Sequence, residues 1–143
     1  RDGRGHKGVD FKVATGAPVK APFDAVVHRR NWNFRANGNC LELHERGGKG
    51  RRALFLHLDE LPANIKAGMV VRRGQEIAKS GNSGRSFAPH LHYQLMSGER
   101  VLDPFTQHAT FRRKLPAGAQ DAFDAEVRRL EALLTPQTAT ATP

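Results

Sequence analysis

The chain has 143 residues, 38% of them hydrophobic, and 23 Lys and Arg against 14 Asp and Glu give it a formal net charge of +9. That length suits one packed domain, and the charge favours anionic partners. No stretch nears the roughly 18 apolar residues of a membrane span, and the single cysteine, Cys40, excludes an internal disulfide and a cysteine-based zinc site.

Nucleic acid is not the expected partner. Aromatics are 7%, the basic runs (Arg51-Arg52, Arg72-Arg73, Arg112-Arg113-Lys114) are short and scattered, and no helix-turn-helix or zinc-finger spacing is present. There is no initiator Met and no signal-peptide pattern, so the chain reads as a mature fragment or an excised domain.

In chain order, residues 5–11 (GHKGVDF) read as extended, with His6 and Asp10 four apart and on one side. Residues 17–23 (APVKAPF) are a Pro-rich approach to a strand at Ala25-Val26-Val27. The turn signal Asn37-Gly38-Asn39 leads into a strand over 40–45. There Leu41 and Leu43 face one way and Glu42 and His44 the other, and Cys40 reads as a small buried hydrophobe. A glycine loop at 47–50 precedes a strand over 53–58. Alternation puts Leu54, Leu56 and Leu58 on one face and Phe55 and His57 on the other. Residues 65–78 read as two short strands around Gly68 and Gly74, and 81–89 as a long loop opening into His90.

Strand signals every 8–12 residues predict a mainly β fold, an antiparallel roll or sandwich. The C-terminal segment differs. Over 121–134, Phe123, Val127, Leu130 and Leu134 recur at helical spacing, with acids early and arginines late. The expected organisation is a domain over 1–115, a helical extension packed on it over 116–134, and a disordered low-complexity tail over 135–143.

The chemistry concentrates in histidines. In residues 88–95 (APHLHYQL), His90 and His92 sit two apart in a strand-like run. On a strand they project together with Gln94, while Leu91, Tyr93 and Leu95 project the other way. A shared face of unpartnered imidazoles is costly to bury, so partners are expected. His6, Asp10 and His57 supply them. Imidazole plus carboxylate is a ligand set that suits zinc, and a catalytic zinc site uses three protein ligands. Five groups fit three ligands and two acid–base histidines. Zinc would bring a water's pKa to about 7, and a nearby histidine can take its proton. Spacing alone does not say which three bind the metal.

Residues 5–11, 56–58 (LHL) and 81–84 (GNSG) leading to 89–93 (PHLHY), with 16–21 (GAPVKA), 68–77 (GMVVRRGQEI) and 101–104 (VLDP), resemble the lysostaphin- and LytM-type zinc peptidases of the bacterial cell wall. The resemblance covers roughly 5–105. It implies antiparallel β structure with a groove over zinc. It implies His6, Asp10 and His92 as zinc ligands and His57 and His90 as catalytic histidines. The implied reaction is amide-bond cleavage in peptidoglycan cross-links, with one histidine assisting removal of the water's proton and the other serving the oxyanion or the leaving amine; which does which stays open. The implied location is the cell envelope, periplasmic or secreted, and a monomer is expected.

Within that likeness, 34–38 (FRANG) and 44–53 (HERGGKGRRA) correspond to family-variable loops expected to rim the groove. The segment 110–118 and the helix resemble the tail of Gram-negative-type members. This favours D,D-endopeptidase cleavage of cross-links containing D-alanine and diaminopimelate over glycyl-glycine cleavage. The alternative is a catalytically inactive LytM-like regulator that binds and activates a cell-wall amidase; the presence of all five groups counts against it. His28, His44 and His108 match no ligand position, and His28 and His44 read as surface residues. Tyr93 reads as a packing residue, and 81–84 as a tight turn delivering His90.

Overall fold

The structure is a computed structural model that describes residues 6–108, 115–116 and 118–134. Two compact units divide the chain, Arg1–Ala109 and Thr110–Pro143. In the first, nine strands and two short helices follow in the order β1 (Val9–Phe11), β2 (Pro18–Lys20), β3 (Ala25–Arg30), α1 (Phe34–Asn37), β4 (Asn39–Glu45), β5 (Arg51–Leu58), β6 (Val70–Val71), β7 (Glu76–Lys79), β8 (Leu91–Ser97), β9 (Arg100–Leu102) and α2 (Pro104–Gln107). The second unit contains α3 (Gln120–Leu134).

One sheet has the order β1-β8-β5-β4-β3-β6, with β9 added to β8; a second consists of β2 and β7. Every pairing is antiparallel. The mainly β antiparallel fold expected from the alternating runs is the fold observed. The core lies between the layers. Val27, Leu41, Leu43, Ala53, Phe55, Tyr93 and Leu95 of the large sheet meet Val19, Ile77 and Ala78 of the small one, all fully or nearly fully buried. Each large aliphatic side chain removed from water contributes about 1.5–3 kcal/mol, and this seam supplies most of the drive to fold.

Three expectations need correction. The Pro-rich segment 17–23 contains β2. Pro18 opens that strand in a two-stranded sheet, where a missing N–H does not break an interior ladder. The turn signal at 37–39 does lead into a strand, but it also ends a helix that was not expected: α1 closes at Gly38, whose φ of 64° is the left-handed geometry glycine adopts freely. On β5 the buried side chains are Ala53, Phe55 and Leu58, with Leu54 and Leu56 on the outer face. The leucine face is therefore not the core face over most of that strand.

In α3, Asp121 sits in the first turn as expected, but the last turn carries no basic residue. Arg128 and Arg129 end too early to complement the helix C-terminus. The expected tail at 135–143 lies outside the described residues.

Candidate metal centre

Register places two of the groups, with Leu56 beside them. Asp10 of β1 pairs with His92 of β8, which in turn pairs with Leu56 of β5. Directly opposed residues project to the same side of a sheet, so all three stand on the outer face, away from the core. His6 lies just before β1 and reaches the same point. His6 Nε2 is 3.1 Å from Asp10 Oδ1 and 3.2 Å from His92 Nδ1, and His92 Nδ1 is 2.8 Å from Asp10 Oδ1.

This triangle is close to one face of a zinc tetrahedron. Bonds of roughly 2.0–2.1 Å give edges of about 3.3 Å. The donors are two imidazole nitrogens and a carboxylate oxygen, a set suited to zinc. Gly8 makes the approach possible: a Cβ there would stand 2.7 Å from both His92 Nε2 and the Tyr93 carbonyl oxygen. Any larger residue would push β1 off β8 and separate the three donors.

The protonation states suit a cation. Burial pushes His92 below the ordinary imidazole value, outweighing the pull of Asp10, and so favours the neutral, ligating form. For Asp10, burial acts upward, but the hydrogen bonds with His92 and His6 outweigh it and hold the carboxyl below its usual range.

His57 and His90 stand on the same groove. Their rings are 4.9 Å apart, and His90 Nε2 is 3.9 Å from Asp10 Oδ1. Strict alternation after Leu56 would turn His57 inward. Instead His57 has φ 61°, a left-handed conformation uncommon outside glycine, and both Leu56 and His57 line the groove. Leu58 then returns to the core, fully buried. The expectation that His57 leaves the leucine face thus fails in its reasoning, although the histidine does reach the site. A backbone reversal, not strand periodicity, brings it there.

Carbonyls fix both tautomers. His57 Nδ1–H donates to Ser83 O at 2.9 Å, and His90 Nδ1–H donates to Ala88 O at 2.8 Å. A carbonyl only accepts, so each Nδ1 carries the proton and each Nε2 is left with its lone pair. Burial lowers the His57 pKa despite the Ser83 bond, keeping its ring neutral near pH 7.

Ser83 was not singled out by sequence reasoning. Its carbonyl holds His57, while its hydroxyl accepts from Asn39 N–H at 2.9 Å and donates to the Leu58 carbonyl. A Cβ on Gly38 would collide with Ser83, and one on Gly84 with the Gly38 backbone. The glycines of 81–84 and the Asn-Gly of 37–38 were legible as turns, but their mutual contact was not.

The groove encloses about 330 Å³ over Asp10, His57, His90 and His92, with Ala36 and Asn37 on its rim. The segment 34–38, most of it α1, rims it as expected. The loop within 44–53 does not line it. Asn39 pairs with Leu58 at the site end of the β4–β5 hairpin and His44 with Arg52 at the other, so the connection lies at the far end. Arg85, Ser86 and Phe87 take its place.

A second His and carboxylate grouping, His28, Glu42 and His44, lies on β3 and β4. Its carboxylate already has cationic partners, Arg29 Nε at 2.7 Å and an Arg52 nitrogen at 3.8 Å. The His28 and His44 rings stack at 4.0 Å and 11°, so their in-plane lone pairs do not converge. This is an ion-pair cluster over a buried Glu42 rather than a metal centre. Tyr93 packs in the core as expected, and its hydroxyl meets His108 Nε2 at 2.8 Å.

Comparisons with known proteins give the chain its relatives. The model of peptidase family M23 matches residues 4–104. The chain is 32% identical over 130 residues to the peptidoglycan DD-endopeptidase ShyB of Vibrio cholerae, covering 90% of this chain and 29% of that protein. It is 40% identical over 96 residues to the glycyl-glycine endopeptidase ALE-1 of Staphylococcus capitis, covering 67% of this chain and 26% of that one. A crystal structure of a zinc-containing peptidase from Vibrio cholerae superposes with a TM-score of 0.63 at 33% identity, over 75% of this chain and 31% of that one. The chain spans between a quarter and a third of the length of these curated relatives.

Proposed function

The chain belongs to peptidase family M23, and on that premise we propose that it is a zinc-dependent endopeptidase of peptidoglycan cross-links in the cell envelope, with residues 1–115 as its peptidase domain. One observation carries the proposal: His6, Asp10 and His92 converge within 3.2 Å of one another, beneath two histidines whose tautomers are fixed.

In this reading His6 Nε2, Asp10 Oδ1 and His92 Nδ1 hold the zinc. When bound, the ion supplies Lewis acidity to a carbonyl and acidity to a water. One of His57 and His90 accepts the attacking water's proton at its Nε2 lone pair, and the imidazolium so formed can return that proton to the leaving amine; the other serves the oxyanion or the leaving amine once it has taken up a proton at Nε2. Their Nδ1 bonds to backbone carbonyls keep each ring aimed and support the imidazolium that forms. Leu56 and Phe87 line the same groove and give it apolar walls.

The length of the matches favours D,D-type cross-links over glycine bridges. The likeness to the DD-endopeptidase runs across 90% of the chain, and that to the glycyl-glycine enzyme across 67%. The test is metal content together with muropeptide cleavage, for the wild type and His92→Ala. One zinc per wild-type chain, shortened dimers, and neither property in the variant are expected. Zinc binding with no peptide cut would move the assignment to a regulator that binds a wall hydrolase. Wild type that stays metal-free in added zinc would end the proposal.

A further inference from the structure

Most arginines on the large sheet are neutralised: Arg29 and Arg52 meet Glu42, and Arg51 meets Glu45. Two beside the metal groove are not. Arg35 in α1 and Arg85 after the 81–84 turn have no ion pair or side-chain hydrogen bond among the described residues. Both are exposed, and with Asn33 and Ala36 they enclose a recess of about 560 Å³. Ala36 and Arg85 also line the metal groove, so the recess and the groove share a wall.

That wall is fixed in place. Arg85 N–H donates to the Ala36 carbonyl at 3.1 Å. The close contact of Gly84 with Gly38, and the Ser83 hydroxyl on Asn39 N–H and the Leu58 carbonyl, tie the same two segments to β4 and β5. Two guanidinium cations are therefore carried on a braced backbone beside the reaction groove, with no carboxylate partner among the described residues. An unpaired guanidinium pair is suited to bidentate recognition of a carboxylate.

We propose that the Arg35–Arg85 recess binds the free carboxylate that a diaminopimelate-type cross-link carries next to its scissile amide. This deepens the peptidoglycan reading and rests on it. In such a cross-link the amide nitrogen is borne by a carbon that also bears a free carboxylate, three bonds from the carbonyl carbon that reacts. A glycine bridge has no such group at the bond cut. The recess thus selects the substrate class through a charge-assisted contact, and it orients the amide over His6, Asp10 and His92.

The experiment compares two synthetic muropeptide dimers, one with this carboxylate free and one with it amidated. Binding is measured by calorimetry on zinc-loaded His57→Asn, with and without Arg35→Ala and Arg85→Ala together. Cleavage is measured on the otherwise wild-type protein. Amidation should weaken binding and raise KM about tenfold, the factor produced by 1.4 kcal/mol, with kcat little changed. The double arginine variant should bind both dimers alike while keeping its zinc and melting temperature, since neither arginine touches the ligands. Equal binding of the two dimers by the arginine-bearing protein overturns the proposal. Preferential binding of the free carboxylate without cleavage of either dimer would leave the recess assigned and remove the hydrolase reading instead.

Discussion

At the scale of single residues, the five groups divide by what holds them. His6, Asp10 and His92 hold one another, whereas His57 and His90 are held by carbonyls of the 81–89 segment. The two sets should therefore fail differently. His90→Ala should retain zinc and lose about 10²–10⁴-fold in kcat, the usual loss for an acid–base group. At position 57 the test substitution is Asn, because an alanine at φ 61° would add backbone strain while Asn tolerates it. His57→Asn should likewise retain zinc and lose turnover. Metal analysis beside steady-state cleavage decides: a variant that cuts at the wild-type rate has no catalytic histidine at that position, and one that sheds its zinc has a ligand there. His92 was legible from period-two spacing, since β8 is regular. His57 was legible as a candidate by its residue type and by resemblance only, because its φ depends on contacts with Ser83 that no local pattern announces.

At the scale of elements, the β4–β5 hairpin is a lever with the site at one end and an ion-pair clamp at the other. Glu45 Oε2 accepts from Lys49 N–H at 2.9 Å, Arg51 N–H at 3.2 Å and Arg51 Nε at 2.9 Å, while Oε1 takes the other guanidinium nitrogen. Gly48 leaves room for the carboxylate, with which a Cβ there would collide. Arg51 chiefly, and then the backbone N–H groups, hold the Glu45 carboxyl at about 2, against an ordinary 4.5. The folded pKa is depressed, so the stabilisation is complete above about pH 4.5 and is lost as the pH falls towards 2. Melting curves of wild type and Glu45→Gln should differ most above pH 4.5 and converge near pH 2. A gap that stays constant across that range would mean the carboxylate's charge contributes nothing. The strands of this hairpin were legible because Leu41 and Leu43 alternate with polar residues. The face of β5 was not. A run of Ala, Leu, Phe and Leu carries apolar side chains on both faces, and only pairing with β4 and β8 decides that Ala53 and Phe55 go inward. The four-residue α1 was equally hidden, since Phe-Arg-Ala-Asn has no helical period to read and stands only where Gly38 meets Ser83.

At the scale of the whole molecule, 23 basic residues outnumber 14 acidic ones. Many of the acids are already engaged: Asp10 with His6 and His92, Glu42 and Glu45 on the sheet, Glu76 with Lys79, and Glu126 with Arg129. The exposed cations among the described residues would raise the local concentration of the protein on an anionic polymer without changing the chemistry of the groove. Such attraction acts over roughly a Debye length, about 10 Å at 0.1 M salt and about 3 Å at 1 M. Retention on intact peptidoglycan sacculi should fall steeply as salt rises through that interval. The core is apolar and does not depend on these charges, so the melting temperature should hold. Cleavage of a small soluble dimer should change less than retention, because a small substrate engages the groove at short range rather than through a diffuse field. Retention that is flat from about 0.05 M to about 1 M salt would show that the wall is gripped by specific contacts alone, and the net charge would then need another explanation.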